Sequence, residues 1–144
     1  MSGAPTNYAE IAARMLALEA AGLAAQNADA VAAAGVHQRL HQRLVPLIGV
    51  EGMRALFARS VNLTCSAFPE LTGLQNTGLR DAANIGKELA ETLQSGNTSD
   101  AHAAAASLYA NFLELTATLI GERLVFMVLN RAFPTLDVAA RLGV

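Results

Sequence analysis

Two histidines stand four residues apart in HQRLHQRL, a tetrapeptide written twice over residues 37–44. On a helix, side chains at positions i and i+4 are neighbours, so His37 and His41 could share a transition-metal ion. A zinc protease helix would need Glu at position 38, where this chain has Gln, and His102 is 61 residues beyond His41. Two ligands do not complete a site. We therefore predict a structural pair at the border between core and water, with no metal and no cofactor.

Two other side chains could carry chemistry, each of them alone. A single histidine on a bundle helix, such as His102, can accept a phosphoryl group, but the Lys and Gly that usually follow such a histidine are missing. Cys65 is the only cysteine, which excludes an intramolecular disulfide and favours a reducing compartment. It has no basic neighbour in the sequence, so we predict an inert thiol. The sequence contains no phosphate-binding loop and no serine-hydrolase motif, and we expect no enzyme.

A polar stripe follows one face of the last long apolar segment. It comprises Asn111, Glu114, Thr118 and Glu122. The simpler interpretation is the solvent face of a helix, because a surface helix turns some polar side chains to water. The second interpretation is a polar seam inside a bundle or dimer, which could bind a ligand or fix the register between helices.

The apolar pattern that must position these side chains is helical nearly everywhere. Apolar residues recur at intervals of three and four, whereas alternation at period two never persists. Gly and Pro divide the chain, so we predict an all-α fold: a compact bundle of five to six helices in a single domain over residues 1–144. The predicted helices cover residues 8–22, 27–46, 50–68, 81–96 and 99–131, the last with a bend at Gly121, followed by a short tail helix over 135–143.

Each predicted helix has an apolar face. Pro46 is expected to end or kink the second helix, and Pro69 to stop the third, before a loop over residues 69–80. The predicted core faces are Tyr8, Ile11, Met15 and Leu18; then Val36, Leu40, Leu44 and Leu47; then Val50, Met53, Phe57, Val61, Thr64 and Phe68; and finally Leu108, Phe112, Leu115, Leu119 and Phe126, beside Tyr109, Leu113, Ile120, Leu124 and Met127.

Two short segments echo each other. LIG occurs at residues 47–49 and again at 119–121, and AFPEL at 67–71 is similar to AFPTL at 132–136. In a chain rich in leucine and alanine we attribute this echo to chance. One local inference holds for both copies: each helix should end at Phe-Pro, because the residue before a proline avoids the helical conformation.

Composition limits the classes of function. A net charge of −2 with scattered basic residues is not the footprint of a nucleic-acid-binding protein. The longest run without Asp, Glu, Lys or Arg, residues 101–113, is shorter than the roughly 20 residues of a membrane-spanning helix. The N-terminal residues lack the features of a signal peptide. We therefore expect a cytoplasmic protein with no membrane span.

The chain is 53% hydrophobic and only 15% charged, against about 25% charged in typical domains. We therefore predict that a partner covers part of the surface: a second copy in a homodimer, or an unknown protein partner. The expected function is a non-enzymatic helical interaction or regulatory module. The alternatives are a small-molecule-binding bundle and, third, a histidine phosphotransfer or metal-binding bundle. The candidate interface residues are Met53, Phe57, Val61, Phe112, Leu119 and Phe126.

Overall fold

The computed structural model describes residues 8–20, 28–69 and 98–133. This part of the chain contains four helices and no strand, which confirms the all-α class. Predictions for the other residues, including the helix over 81–96, most of the loop over 69–80 and the tail helix over 135–143, lie outside the described part. The four helices are α1 (Tyr8–Ala20), α2 (Ala28–Cys65), α3 (Thr98–Ile120) and α4 (Glu122–Ala132).

Helix α2 contains a break, which lies between the predicted helices over 27–46 and 50–68. The helix continues through Pro46, and the non-helical residue is Gly49, with φ 81° and ψ 165°. Positive φ combined with extended ψ is a conformation almost restricted to glycine. Across the break the chain folds back on itself, because the rings of His37 and Phe57 have centroids only 4.7 Å apart. The turn therefore lies where glycine permits it, and proline alone does not end the helix.

A second break of the same kind separates α3 from α4. Gly121 has φ 95° and ψ 146°. Its N–H donates to the carbonyl of Ala117 at 2.8 Å, in the last turn of α3. Its own carbonyl accepts from the N–H of Val125 at 3.2 Å, in the first turn of α4. The predicted bend is thus a full break, and the predicted helix over 99–131 is two helices.

The break at Gly121 corrects the predicted core face of the last helix. Counting onward from α3 puts Phe126 in the core, with Leu124 and Met127 beside it. In the structure Leu124 and Met127 are exposed and Phe126 is half-buried. One non-helical residue rotates all later side chains about the helix axis, so a periodicity counted across it points to the wrong face. The buried side chains of α4 are Val125, Val128, Leu129 and Ala132.

The hydrophobic core lies where α1, α2 and α3 meet, and α4 packs against α2 and α3. Its largest fully buried side chains are Met15, Leu40, Leu44, Met53, Phe57, Tyr109 and Phe112. Outside α4, the predicted core residues that prove to be exposed are Leu18, Leu47, Val50 and Leu119. Three of these four lie within two residues of a glycine break, where the chain turns away from the core.

A single arginine ties α4 to α2 and α1. Arg39 Nη1 donates to the carbonyl of Ala132 at 3.3 Å, at the end of α4. The same guanidinium forms an ion pair with Glu19 of α1. It also lies 5.6 Å from the centre of the Phe133 ring, which is within cation–π range. These contacts hold the end of α4 beside the first half of α2.

The two LIG segments have matching structures. A shift of 72 positions carries Leu47 onto Leu119, both exposed, and Gly49 onto Gly121, with φ of 81° and 95°. The echo in the sequence thus corresponds to one helix–glycine–helix arrangement found twice. We call residues 36–68 the first unit and residues 108–133 the second unit. Buried positions that match under the same shift include Val36 and Leu108, His37 and Tyr109, and Leu40 and Phe112.

Among the described residues, one stretch is long and apolar enough to cross a membrane by length and composition alone. It is Ala103–Ile120 of α3, with 18 residues and a mean hydropathy of 1.3. The core helix of a soluble bundle meets the same criteria, and 39% of this stretch is buried inside the protein. The absence of a membrane span therefore stays a prediction.

Candidate functional site

The sequence predicts that both histidines lie at the border between core and water, but only His41 does. His37 is only 2% exposed. Its ring packs edge-on against Phe57, at 71° between the ring planes, and its centroid lies 6.3 Å from that of Tyr109. His41 is half-buried, with its ring centroid 6.2 Å from that of His37. One histidine is therefore a core residue and the other marks the boundary of the core.

Burial determines the protonation state of His37. Desolvation, with a smaller contribution from the charge of His41, lowers the pKa of His37 from 6.5 to about 3, so the ring is neutral near pH 7. Both ring nitrogens of His37 and Nε2 of His41 are buried and have no hydrogen-bond partner among the residues that the structure describes. Each such group costs about 1–3 kcal/mol of stability. Burial also raises the pKa of the Tyr109 hydroxyl, which stays protonated.

The pair has the spacing of a metal chelate, and its surroundings are aromatic. In the described part of the chain, no group of three or more His, Cys, Asp and Glu residues could hold a metal ion. The ring of Phe57 lies directly against His37. His102 belongs to α3, but its side chain is outside the described part. The structural role assigned to the pair and the roles considered for His102 stay predictions.

Cys65 is the last residue of α2 and is half-buried. Its side chain is partly exposed and packs against the hydrophobic core. Its low reactivity stays a prediction.

The polar stripe makes separate contacts at its two ends. Asn111 is half-buried, and its Nδ2 donates to Thr64 Oγ1 at 2.9 Å, which joins α3 to α2. Glu122 accepts a hydrogen bond from the hydroxyl of Tyr8 at 3.0 Å, which joins the start of α4 to α1. Both end residues therefore link helices to one another.

The middle of the stripe faces water. Glu114 and Thr118 are exposed, and Thr118 Oγ1 donates to the carbonyl of Glu114 in the same helix at 3.0 Å. The four residues of the stripe are thus divided between two helix contacts and the solvent, and they do not surround one cavity. This arrangement is what a solvent face with structural contacts at its ends would give.

The candidate interface residues fall into two groups. Leu119 is 59% exposed, and Phe126 is half-buried. Side chains in the core of one chain are not available to a second chain, so only Leu119 and Phe126 of the candidate set could contact a partner. The group that lies in this core comprises Met53, Phe57, Val61 and Phe112.

A groove of about 190 Å³ lies between α2 and α4. It adjoins the break at Gly49, because Leu47 lines it. Its α2 wall and its α4 wall each carry four side chains, and we call the whole set the α2–α4 groove. The lining residues are Gln42, Arg43, Pro46 and Leu47 from α2, and Leu124, Met127, Val128 and Arg131 from α4.

The groove combines exposed apolar side chains with two exposed arginines. Leu47, for example, is 51% exposed, a large fraction for a leucine. Arg43 and Arg131 are exposed and form no ion pair within the described residues. By contrast, Arg39 and Arg54 each have an acidic partner. The groove can therefore bury apolar groups and bind negative charge at the same time.

The sequence contains the signals for this groove, but periodicity alone misses them. Leu47 fits the apolar stripe of its helix, so it is predicted to be buried. Leu124 and Met127 fit a stripe counted through Gly121, with the same result. If a non-helical glycine had been predicted at both LIG segments, Leu47, Leu124 and Met127 would not have been assigned to the core.

No family model, curated protein or solved structure matches the chain. The candidate function therefore rests on the α2–α4 groove and the side chains around it.

Proposed function

We propose that the protein is a non-enzymatic helical interaction module that binds another protein chain through the α2–α4 groove. The observation that supports this most strongly is the exposure of large apolar side chains on both walls: Leu47 on α2, with Leu124 and Met127 on α4. Each Å² of apolar surface removed from water contributes about 25 cal/mol, so covering these side chains favours association.

The size of the groove favours a side chain of a partner over a free ligand. An apolar cavity of about 150 Å³ holds one benzene molecule, so 190 Å³ has room for one large apolar side chain. Sites for drug-sized molecules are typically about 300–1,000 Å³. An amphipathic helix that inserts one apolar anchor between two helices is a common way to fill such a groove.

The partner chain can be identical or different. A homodimer is the default for a self-associating protein, and the low charged fraction of 15% supports a covered surface. A separate protein partner is the other form of the same proposal. In both forms the module acts through contact, in a cytoplasmic setting, without a cofactor.

Leu47→Ser combined with Met127→Ser tests the proposal. Each side chain is about half exposed, so the free energy of unfolding should fall by only about 1–2 kcal/mol. If the chain forms a homodimer, sedimentation equilibrium at micromolar concentration should show a species heavier than 15.0 kDa, and the serine variant should return to 15.0 kDa.

Leu18→Ser combined with Leu63→Ser is the matched control, because both leucines are exposed and neither lines the groove. This variant should keep the association of the unmodified protein. A single 15.0 kDa species at every concentration would rule out the homodimer. The wider proposal fails if synthetic amphipathic helical peptides bind the groove variant as tightly as they bind the unmodified protein.

A further inference from the structure

We infer that the occupant of the α2–α4 groove is an acidic amphipathic helix of a different protein. This inference rests on the function proposed above and specifies the partner. It follows from the charge of the groove, from the spacing of that charge along the two walls, and from what a second copy of the same groove would bring.

The charge of the groove is positive on both walls. Arg43 stands on α2 and Arg131 on α4, and none of the eight lining residues is acidic. The chain as a whole has a net charge of −2, so the basic groove differs from its average surface. A guanidinium group binds a carboxylate through paired, charge-assisted hydrogen bonds. The complement of this groove is therefore an apolar group flanked by carboxylates.

The spacing is the same on both walls. Arg43 precedes Leu47 by four residues, and Arg131 follows Met127 by four residues, so each arginine stands one helical turn from an apolar side chain. A partner helix with the same period, carrying a leucine or phenylalanine with Glu or Asp one turn away on either side, matches both walls.

A second copy of the groove is a poor occupant. A twofold dimer that pairs this groove with itself gathers four guanidinium groups, two from each chain, with no carboxylate from either groove. Like charges brought together across an interface oppose binding and suppress such partners. The same apolar groups covered by an acidic helix carry no such penalty.

Two synthetic peptides of equal length test the inference against the full chain. Both are amphipathic helices with one leucine stripe; one carries Glu beside the stripe, and the other carries Lys at the same positions. Fluorescence anisotropy of the labelled peptides should give a Kd for the acidic peptide about tenfold lower than for the basic one. Added salt should reduce this preference, because the charges are exposed.

Arg43→Glu combined with Arg131→Glu should reverse the preference, so that the basic peptide binds more tightly. The matched control is Arg59→Glu combined with Arg123→Glu, which makes the same change of net charge at two exposed arginines outside the groove. This control should keep the preference for the acidic peptide. Thermal unfolding followed by circular dichroism establishes that all variants are folded.

The outcomes separate this inference from the proposed function. Loss of both peptides in the Leu47→Ser, Met127→Ser variant supports the groove as the binding surface. The acidic partner is overturned if the two peptides bind with equal affinity or if neither binds. It is also overturned if the charge reversal at Arg43 and Arg131 leaves the preference unchanged. A homodimer that the serine variant dissociates also overturns it, because a second copy would then be the occupant, and the proposed function would stand.

Discussion

The first and second units share a backbone plan but fill it with different side chains. In both, a buried helix reaches a leucine, an isoleucine and then a glycine with positive φ, and a second helix turns back from there. At matching buried positions the first unit has His37 and the second has Tyr109. Glycine and the burial pattern therefore determine the turn, whereas the polar chemistry of the core is free to differ.

The residue three positions before the glycine also differs between the units, with a similar effect. Pro46 has no N–H to donate to the preceding turn. In the second unit Thr118 stands at the matching position, and its hydroxyl donates to the carbonyl of Glu114, which competes with the backbone for that acceptor. Each unit thus weakens its last helical turn just before the break, by a different device.

The largest expected effect is a loss of stability in acid, which His37 of the first unit should cause and Tyr109 of the second unit should not. The pKa of His37 is about 3 in the folded protein and 6.5 in the unfolded chain, so between these values the unfolded chain binds more protons. The contribution of His37 to stability is therefore complete above about pH 6.5 and is lost as the pH drops toward 3; it is on the order of 5 kcal/mol. Urea unfolding at a series of pH values measures this loss.

His37→Phe keeps the edge-on contact with Phe57 and removes the titrating, unpartnered nitrogens. This variant should be about 1–3 kcal/mol more stable at pH 7 and should lose much less stability in acid. Tyr109→Phe is the control, since its hydroxyl does not titrate in this range, and it should keep the acid sensitivity. An unchanged acid loss in His37→Phe would show that other groups cause it.

The next effect should be equal in the two units. Gly49→Ala and Gly121→Ala add a Cβ that meets no atom within 4 Å, so only the backbone conformation is strained. Each variant should lose about 1–3 kcal/mol of unfolding free energy in chemical denaturation. A loss at one glycine alone would mean that the two breaks are not equivalent in the folded protein.

The smallest effect should again differ between the units. Pro46→Ala restores a backbone N–H donor within α2, so the free energy of unfolding should rise by about 1 kcal/mol. This is part of the destabilisation that a proline usually causes inside a helix. Thr118→Ala should change stability by less than about 0.5 kcal/mol, because the side chain is exposed. Thermal unfolding compares the two. A loss in Pro46→Ala would indicate that the proline is needed to keep the break at Gly49.

Much of the core follows from spacing alone. The apolar stripes through Ile11 and Met15, and through Met53 and Phe57, are buried as predicted, because each lies within one uninterrupted helix. The prediction is wrong at α4, where the register passes through Gly121. Local sequence marks that glycine as a possible bend, but the angle by which it rotates the next helix depends on the contacts of α4 with the bundle.

The candidate site was less accessible to prediction than the core. His37 borders the stripe of Val36 and Leu40, and whether such a flank is covered depends on how the second half of α2 returns across the break. The groove likewise needs two helices far apart in sequence to meet. Periodicity describes one helix at a time, so a surface shared by α2 and α4 is not contained in it.

The Gly49 break has a consequence for how the chain folds. It brings the rings of His37 and Phe57 together across only twenty residues of sequence, so the first unit gains core contacts by closing a short loop. Proteins with many contacts between residues near in sequence fold quickly, because little chain entropy is lost before those contacts form. A helix pair of this kind is a nucleus that can form early, and α3 then has a prepared surface on which to pack.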